Sequence, residues 1–369
     1  MSAATATPQT PSAPGTPEAT PRGLTWWGVR TVALLEVRQR IRSTRWKVAL
    51  GIWFAMVGLV TTGLVAVMYQ SYSGYSGSTG YDPSPEIGRT VFGLVVLFVL
   101  FLGLLVAPTL TATTINGDRN AGTLAVLQAT TLSSWDIAVG KLLASWGAAL
   151  AFLVASLPFL IWGFALGGTG VVAGIGTILM IAVILAVVCA IGLATSTLVT
   201  RPAGSAVLTY VLVAALSVGT LIAFGLSAFF LTSNETVRVY GTDWSNSSEG
   251  DTCQWREEER SITHTERTAW LLGLNPFVMV ADFSATPEVS FSDPLTAIST
   301  GVRYAQQGQG GDQYECYSEY ADSEPPPRGT PYWPWSLAAY LVLGTGSVLF
   351  TTRRLTVPTA KLARGTRIA

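Results

Sequence analysis

Six stretches without a single charged side chain constrain this chain more than any other feature: Val48–Met68, Thr90–Leu110, Leu142–Leu166, Val171–Thr200, Pro202–Asn234 and Gly329–Thr352. Each is long enough, or nearly so, to cross about 30 Å of hydrocarbon as a helix. In the sixth, Pro331 and Pro334 leave a helix running from about Trp335, and Tyr332, Trp333 and Trp335 suit an interfacial aromatic belt. The fourth and fifth exceed the need and must tilt or include interfacial turns. Only 12% of the residues are charged and 49% are hydrophobic, a balance that a soluble chain of 369 residues does not need. The fold class expected is all-α: a polytopic membrane protein with six transmembrane helices and an N-terminal in-plane amphipathic helix.

Formal charge sums to zero over the chain but not over the two sides of these spans. Before the first span lie Arg22, Arg30, Arg38, Arg40, Arg42, Arg45 and Lys47, against Glu18 and Glu36. Arg353, Arg354, Lys361, Arg364 and Arg367 follow the last, and Arg119, Lys141 and Arg201 lie in the loops after spans two and four. That side holds 15 basic and 4 acidic residues; the other holds 7 basic and 18 acidic. The positive-inside rule places both termini in the cytoplasm of a multi-pass plasma-membrane protein, and the even span count agrees. Residues 1–23, rich in Pro, Thr and Ala, are expected to be a disordered cytoplasmic tail rather than a signal peptide, so the first span stays as a signal-anchor. The remaining divisions are 24–47 for the in-plane helix, 48–234 for spans one to five with a cytosolic loop 111–141, 235–328 for an extracytoplasmic loop domain, 329–352 for span six and 353–369 for a basic tail.

The outer loop holds Cys253 and Cys316, two of only three cysteines. In an oxidising compartment the pair reads as a disulfide closing a long loop; the alternative is two free thiols. Cys189, inside a span, reads as a small apolar filler. Thr268–Phe283 is apolar but too short, and too broken by Pro276, to cross; it reads as a re-entrant or interfacial element. Asn234-Glu235-Thr236 and Asn246-Ser247-Ser248 match glycosylation sequons and are assigned no function.

No Asp, Glu, Lys, Arg or His lies within any span, and the only histidine, His264, is in the outer loop. Proton-coupled pumps need ionisable groups at membrane depth, and intramembrane metalloproteases and acid–base enzymes need them as well. The sequence offers no catalytic residue, metal ligand or cofactor site, and no phosphate-binding loop: Gly140-Lys141 is followed by Leu142 and lacks the upstream glycine. Uphill transport by such a chain would draw its energy from another subunit.

Two cytosolic segments carry the remaining signals. In Thr25–Lys47, Trp26, Val29, Ala33, Val37 and Ile41 repeat at three- and four-residue steps, with Arg30, Arg38, Arg42 and Arg45 largely opposite. A basic amphipathic helix leading into a span would lie in the headgroup plane against membrane lipids; a plain positive-inside flank is the alternative. The loop Thr111–Lys141 contains a short apolar stretch, Leu124–Leu127, and Ser133-Ser134-Trp135-Asp136 looks like a capped helix start. This is either a short helix suited to contacting a partner or an ordinary loop.

Asp118-Arg119, Gly122-Thr123-Leu124, Gln128-Ala129-Thr130 and Leu132, followed by Ile137 and Gly140-Lys141-Leu142, resemble the intracellular-loop signature of ABC-2 type permeases, the transmembrane subunits of ABC exporters. The tail from Leu355 to Ala369 and the phrase Asn275-Pro276-Phe277-Val278 look like actinobacterial members; the Pro-rich start before Thr25 departs from the pattern. The resemblance implies a homo- or heterodimer of permeases, each docked to a cytosolic ABC ATPase, with no ATP hydrolysis on this chain and no nucleic-acid partner. It implies coupling through Asp118, Arg119, Gly122, Thr123, Leu124, Leu127, Gln128, Asp136 and Lys141, with Leu124 and Leu127 as buried anchors. It places spans two and five along the pathway, with Phe92, Phe98, Phe101, Phe224 and Phe229 as candidate lining; lipid-facing or packing aromatics are the other reading of each. An uncharged pathway suits lipids, drugs or peptides. The rival classes are a membrane sensor or scaffold that binds a ligand with its outer loop, and a facilitative channel, whose polar rings are missing.

Overall fold

The computed structural model describes residues 23–79, 82–123, 132–242, 253–285, 293–315 and 329–356. Helix α1 (Trp26–Arg42) is separated by Ser43 alone from α2 (Thr44–Thr79). There follow α3 (Ser84–Thr111), the short α4 (Thr114–Asn120), α5 (Ser134–Ala165), α6 (Val171–Leu198) and α7 (Pro202–Phe230). The final helix is α11 (Trp333–Leu355). Helices α2, α3, α5, α6, α7 and α11 are the six long and apolar enough to cross a membrane. The chain is a polytopic helical membrane protein.

Helix α6 is central, packing on α3, α5, α7 and α11. It is buried because its sequence is apolar all round, with no polar stripe to present to water or a lumen. Ile181, Ile184, Leu185 and Val188 of α6 join Val95, Val96 and Val99 of α3 and Phe152 of α5 in one core. At the other extreme, α2 and α7 keep most of their surface outside the bundle, with Ile52, Leu59, Val211 and Phe229 among their exposed residues.

Two spanning helices begin earlier than their uncharged stretches suggested. Helix α5 begins at Ser134, ahead of Leu142, because the expected cap forms: Ser133 Oγ accepts from the Asp136 amide at 3.1 Å, and Asp136 Oδ2 accepts from the Ser133 amide at 3.1 Å. Helix α11 begins at Trp333 rather than near Trp335, since Pro334 falls in the first turn, where its missing N–H costs nothing. The Tyr332 and Trp333 amides, orphaned at that helix start, donate to the buried Asp282 carboxylate at 2.6 and 3.0 Å.

The segment between α7 and α11 adds a small sheet to the helical fold. Strand β1 (Thr232–Thr242) leaves α7 directly and pairs antiparallel with β2 (Cys253–Thr263); β3 (Gln313–Tyr314) pairs parallel on the other edge of β1. Val237, Val239 and Ile262 form its small core. Charge hid β2 in the sequence: its Arg260 is held by Glu258, two residues back on the same strand, at 3.1 Å and by Glu315, just past β3, at 2.6 Å. The apolar stretch from Thr268 folds as α8 (Trp270–Gly273) and α9 (Pro276–Ser284), and α10 (Pro294–Gln307) packs on α9. Asn275 caps α9 and also donates to the Ser217 carbonyl, inside a π turn at Ala215–Gly219 of α7, and to Thr220 Oγ1 at 3.0 Å. Helix α9 is thereby hooked onto α7.

His264 closes the sheet at the end of β2. Its Nδ1 lies 2.8 Å from Glu266 Oε1 and its Nε2 2.9 Å from Glu235 Oε1, with Arg267 nearby. The Glu266 and Glu235 carboxylates raise the imidazole above its ordinary 6.5, and the imidazole holds Glu235 below its ordinary 4.5. The histidine's contribution to stability is therefore complete below 6.5 and lost as pH rises through its raised value, whereas that of Glu235 is complete above 4.5 and lost on acidification. Amide exchange of β1 and β2, corrected for intrinsic rates, should accelerate on the alkaline side of the histidine titration, and His264→Gln should abolish that dependence. Protection that ignores pH in the native protein would refute the linkage.

Candidate functional site

At the end of the bundle where α1 lies, four helices meet around one buried ammonium. Lys141, in the second turn of α5, is 2% exposed. Its Nζ lies 2.5 Å from Glu36 Oε1 of α1 and 2.6 Å from Asp118 Oδ2 of α4. Arg40, one turn beyond Glu36 and 4.0 Å from it, donates through Nη2 to the Leu110 carbonyl at 3.0 Å and to Ser145 Oγ at 3.2 Å. Leu110 is in the last turn of α3, so Arg40 caps a carbonyl that the helix leaves without a partner. Two acids and two bases share the junction, which is therefore neutral as a unit, the condition under which charges can be buried.

Asp136 makes a second fastening. Besides the Ser133 amide, its carboxylate accepts from the Thr25 amide at 2.6 Å and from Thr25 Oγ1 at 2.9 Å, holding the start of α1 against α5. Between the two fastenings the helices come very close: a Cβ on Gly140 would sit 2.7 Å from Val32 Cβ. Below, Ile115, Ile137, Leu193 and Leu355 form a separate apolar cluster that seats α4 against α5, α6 and α11. The Ile115 and Asn116 amides donate to Ser196 Oγ of α6 at 3.1 and 3.2 Å. Gly122 then ends α4 with a φ of +71°, a left-handed turn that glycine takes without strain. Thr123 is exposed beyond it, and its hydroxyl donates to the Asp118 carbonyl at 3.2 Å.

These contacts divide the stripe expected along α1. Gly28, Val29 and Val32 face α5 together with Glu36 and Arg40. Trp26 and Ile41 are exposed instead, beside Trp27, Leu34 and Leu35. The docking face takes small and charged residues because α5 presents a glycine, an aspartate and a lysine there.

The family model described as ABC-2 family transporter protein matches residues 30–353. The chain belongs to the ABC-2 transporter family. None of the curated proteins matches it significantly. Of the residues that the ABC-2 resemblance singled out for coupling, the fold brings Asp118 and Lys141 together, turns Asp136 toward Thr25, and leaves Arg119 half-buried on α4. Leu124, Leu127 and Gln128 lie outside the described residues. The pathway candidates are not gathered: Phe92 is buried in the core, Phe98 and Phe224 pack against separate clusters, Phe101 is half exposed and Phe229 is 81% exposed. Glu36, Arg40 and Thr25 were missed in the sequence. The signal for Glu36 was its isolation as the sole acid of the basic helix.

Lys141→Met should leave Glu36 and Asp118 facing each other unpaired, a loss of about 3–5 kcal/mol for a broken buried pair. A thermal unfolding series in detergent should show it, with Glu36→Leu in the same chain recovering part of the loss. Additive losses in the double variant would mean that the two side chains are not coupled.

Proposed function

We propose that this ABC-2 family chain is the membrane-spanning permease subunit of an ATP-driven exporter, forming the translocation pathway with a second, identical or related permease and coupling to a separate cytosolic ATPase. The observation that carries this is the Glu36–Lys141–Asp118 junction. It fastens the helix leading into Gly122-Thr123-Leu124 to both α1 and α5, so a push on that segment is delivered to a membrane-spanning helix instead of being absorbed by a loop. The buried Asn116 amide, with neither side-chain polar atom bonded, supports a second arrangement of α4 in which it finds partners. On this reading the ATPase supplies hydrolysis, both termini are cytoplasmic in the plasma membrane, and the cargo is hydrophobic or amphiphilic: a lipid, drug or peptide.

Leu124→Asp tests the coupling. An unpaired charge in the ATPase contact costs several kcal/mol, so the variant should insert and dimerise but lose its co-purifying ATPase or its transport-stimulated ATP hydrolysis. Full partner binding and transport would sink the proposal.

The outer loop domain is proposed to be closed by a Cys253–Cys316 disulfide. Cys253 opens β2, while Cys316 lies outside the described residues. Non-reducing peptide mapping should join the two, with a contribution on the order of 4 kcal/mol by chain entropy. Alkylation of both thiols without prior reduction would refute it.

A further inference from the structure

A lateral groove of about 580 Å³ runs along α2 from the α1–α2 break, walled by α3 and α5. Ile52, Met56, Val106 and Phe152 make its sides apolar, whereas Arg40, Ser43 and Arg45 line one end only. The walls are firmly held: the Trp46 and Trp53 rings pack on Phe152 with centroids 5.0 and 4.9 Å apart. The Trp53 indole N–H is spent on Ser156 Oγ at 2.9 Å and offers nothing to an occupant. From Arg45 to Met56 the helix rises about 16 Å, roughly half of a hydrocarbon core and so the depth of one leaflet.

The occupant follows from this polarity. Arg40 is partly committed to Leu110, Ser145 and Glu36, but Arg45 is exposed and has no ion pair among the described residues. Arg42 and Lys47 lie nearby in sequence, so a second copy seating its own α2 here would bring like charges together. A partner with one anionic end and an apolar body of leaflet length meets no such penalty.

We propose that this groove is a binding site for an anionic phospholipid of the adjoining leaflet, its phosphate on Arg45 with Arg40 behind it and an acyl chain along Ile52, Met56 and Phe152. The inference needs only a membrane-spanning chain and is independent of the ATPase.

The test uses the full-length protein in phosphatidylcholine nanodiscs containing either phosphatidylglycerol or phosphatidylcholine with a diazirine in the acyl chain. Photolabelled peptides are mapped by mass spectrometry. Phosphatidylglycerol should label the α2 peptide around Ile52–Met56 and the α3 peptide around Val106–Leu110 in preference to phosphatidylcholine. Arg45→Gln should lower that preference by about fivefold, the worth of one arginine near an anionic surface, without lowering phosphatidylcholine labelling. Met56→Trp should reduce labelling by both lipids, because the ring fills the groove. Equal labelling by the two lipids in the native protein, labelling spread evenly around α2, or cross-links between two copies of α2 at this face would each overturn the proposal.

Discussion

An ammonium group buried near the end of a membrane-spanning helix has to be neutralised by side chains that the fold itself brings to it, and in this protein that group is Lys141. The acids that meet it come from α1 and α4, one far upstream and one separated from it by the segment 124–131. Satisfying one charge therefore fixes the relative positions of three helices, and Arg40 adds the end of α3 through the Leu110 carbonyl. A neutral contact of similar size would tolerate sliding. Three or four charges in low dielectric do not, because each unpaired member carries its full desolvation cost.

The same economy recurs at the opposite end. Asp282 is buried and takes both orphan amides at the start of α11 together with the Ser299 hydroxyl at 2.9 Å. Asn275 ties α9 to a π turn of α7. Between these polar fastenings the bundle relies on close apolar packing around α6, while α2 and α7 keep broad apolar faces outside it. In a bilayer such faces cost little, since lipid chains are as apolar as the side chains they would otherwise pack on. The ends are fixed by charge and the middle by apolar contact.

What the sequence determined by itself was the set of spans. Twenty or so consecutive residues without charge have one low-energy solution in hydrocarbon, because only a helix satisfies every backbone group within the segment. Local signals of equal strength also survived: the Ser133–Asp136 cap forms as its spacing predicts, and Cys189 is a buried filler. The sheet was illegible because the run from Arg256 to Arg260 resembles solvated loop until Glu315, distant in sequence, arrives to pair with it.

Tertiary structure alone decided which charges are inside. Glu36 stands out as the only acid of its basic helix, but nothing local says that it or Lys141 is buried, since burial of an ion depends on a partner more than a hundred residues away. The α1 stripe was divided for a related reason. Periodicity predicts which residues share a face, but the surface opposite chooses the face, and α5 presents Gly140, Asp136 and Lys141, which select small and charged partners over Trp26 and Ile41. The phenylalanines were likewise sorted by the fold, which buries Phe92 and leaves Phe101 and Phe229 exposed, a division that composition cannot specify. Hydrophobic length is a property of a segment and can be read from it; electrostatic pairing and face selection are properties of two segments at once, and exist only when the chain has folded.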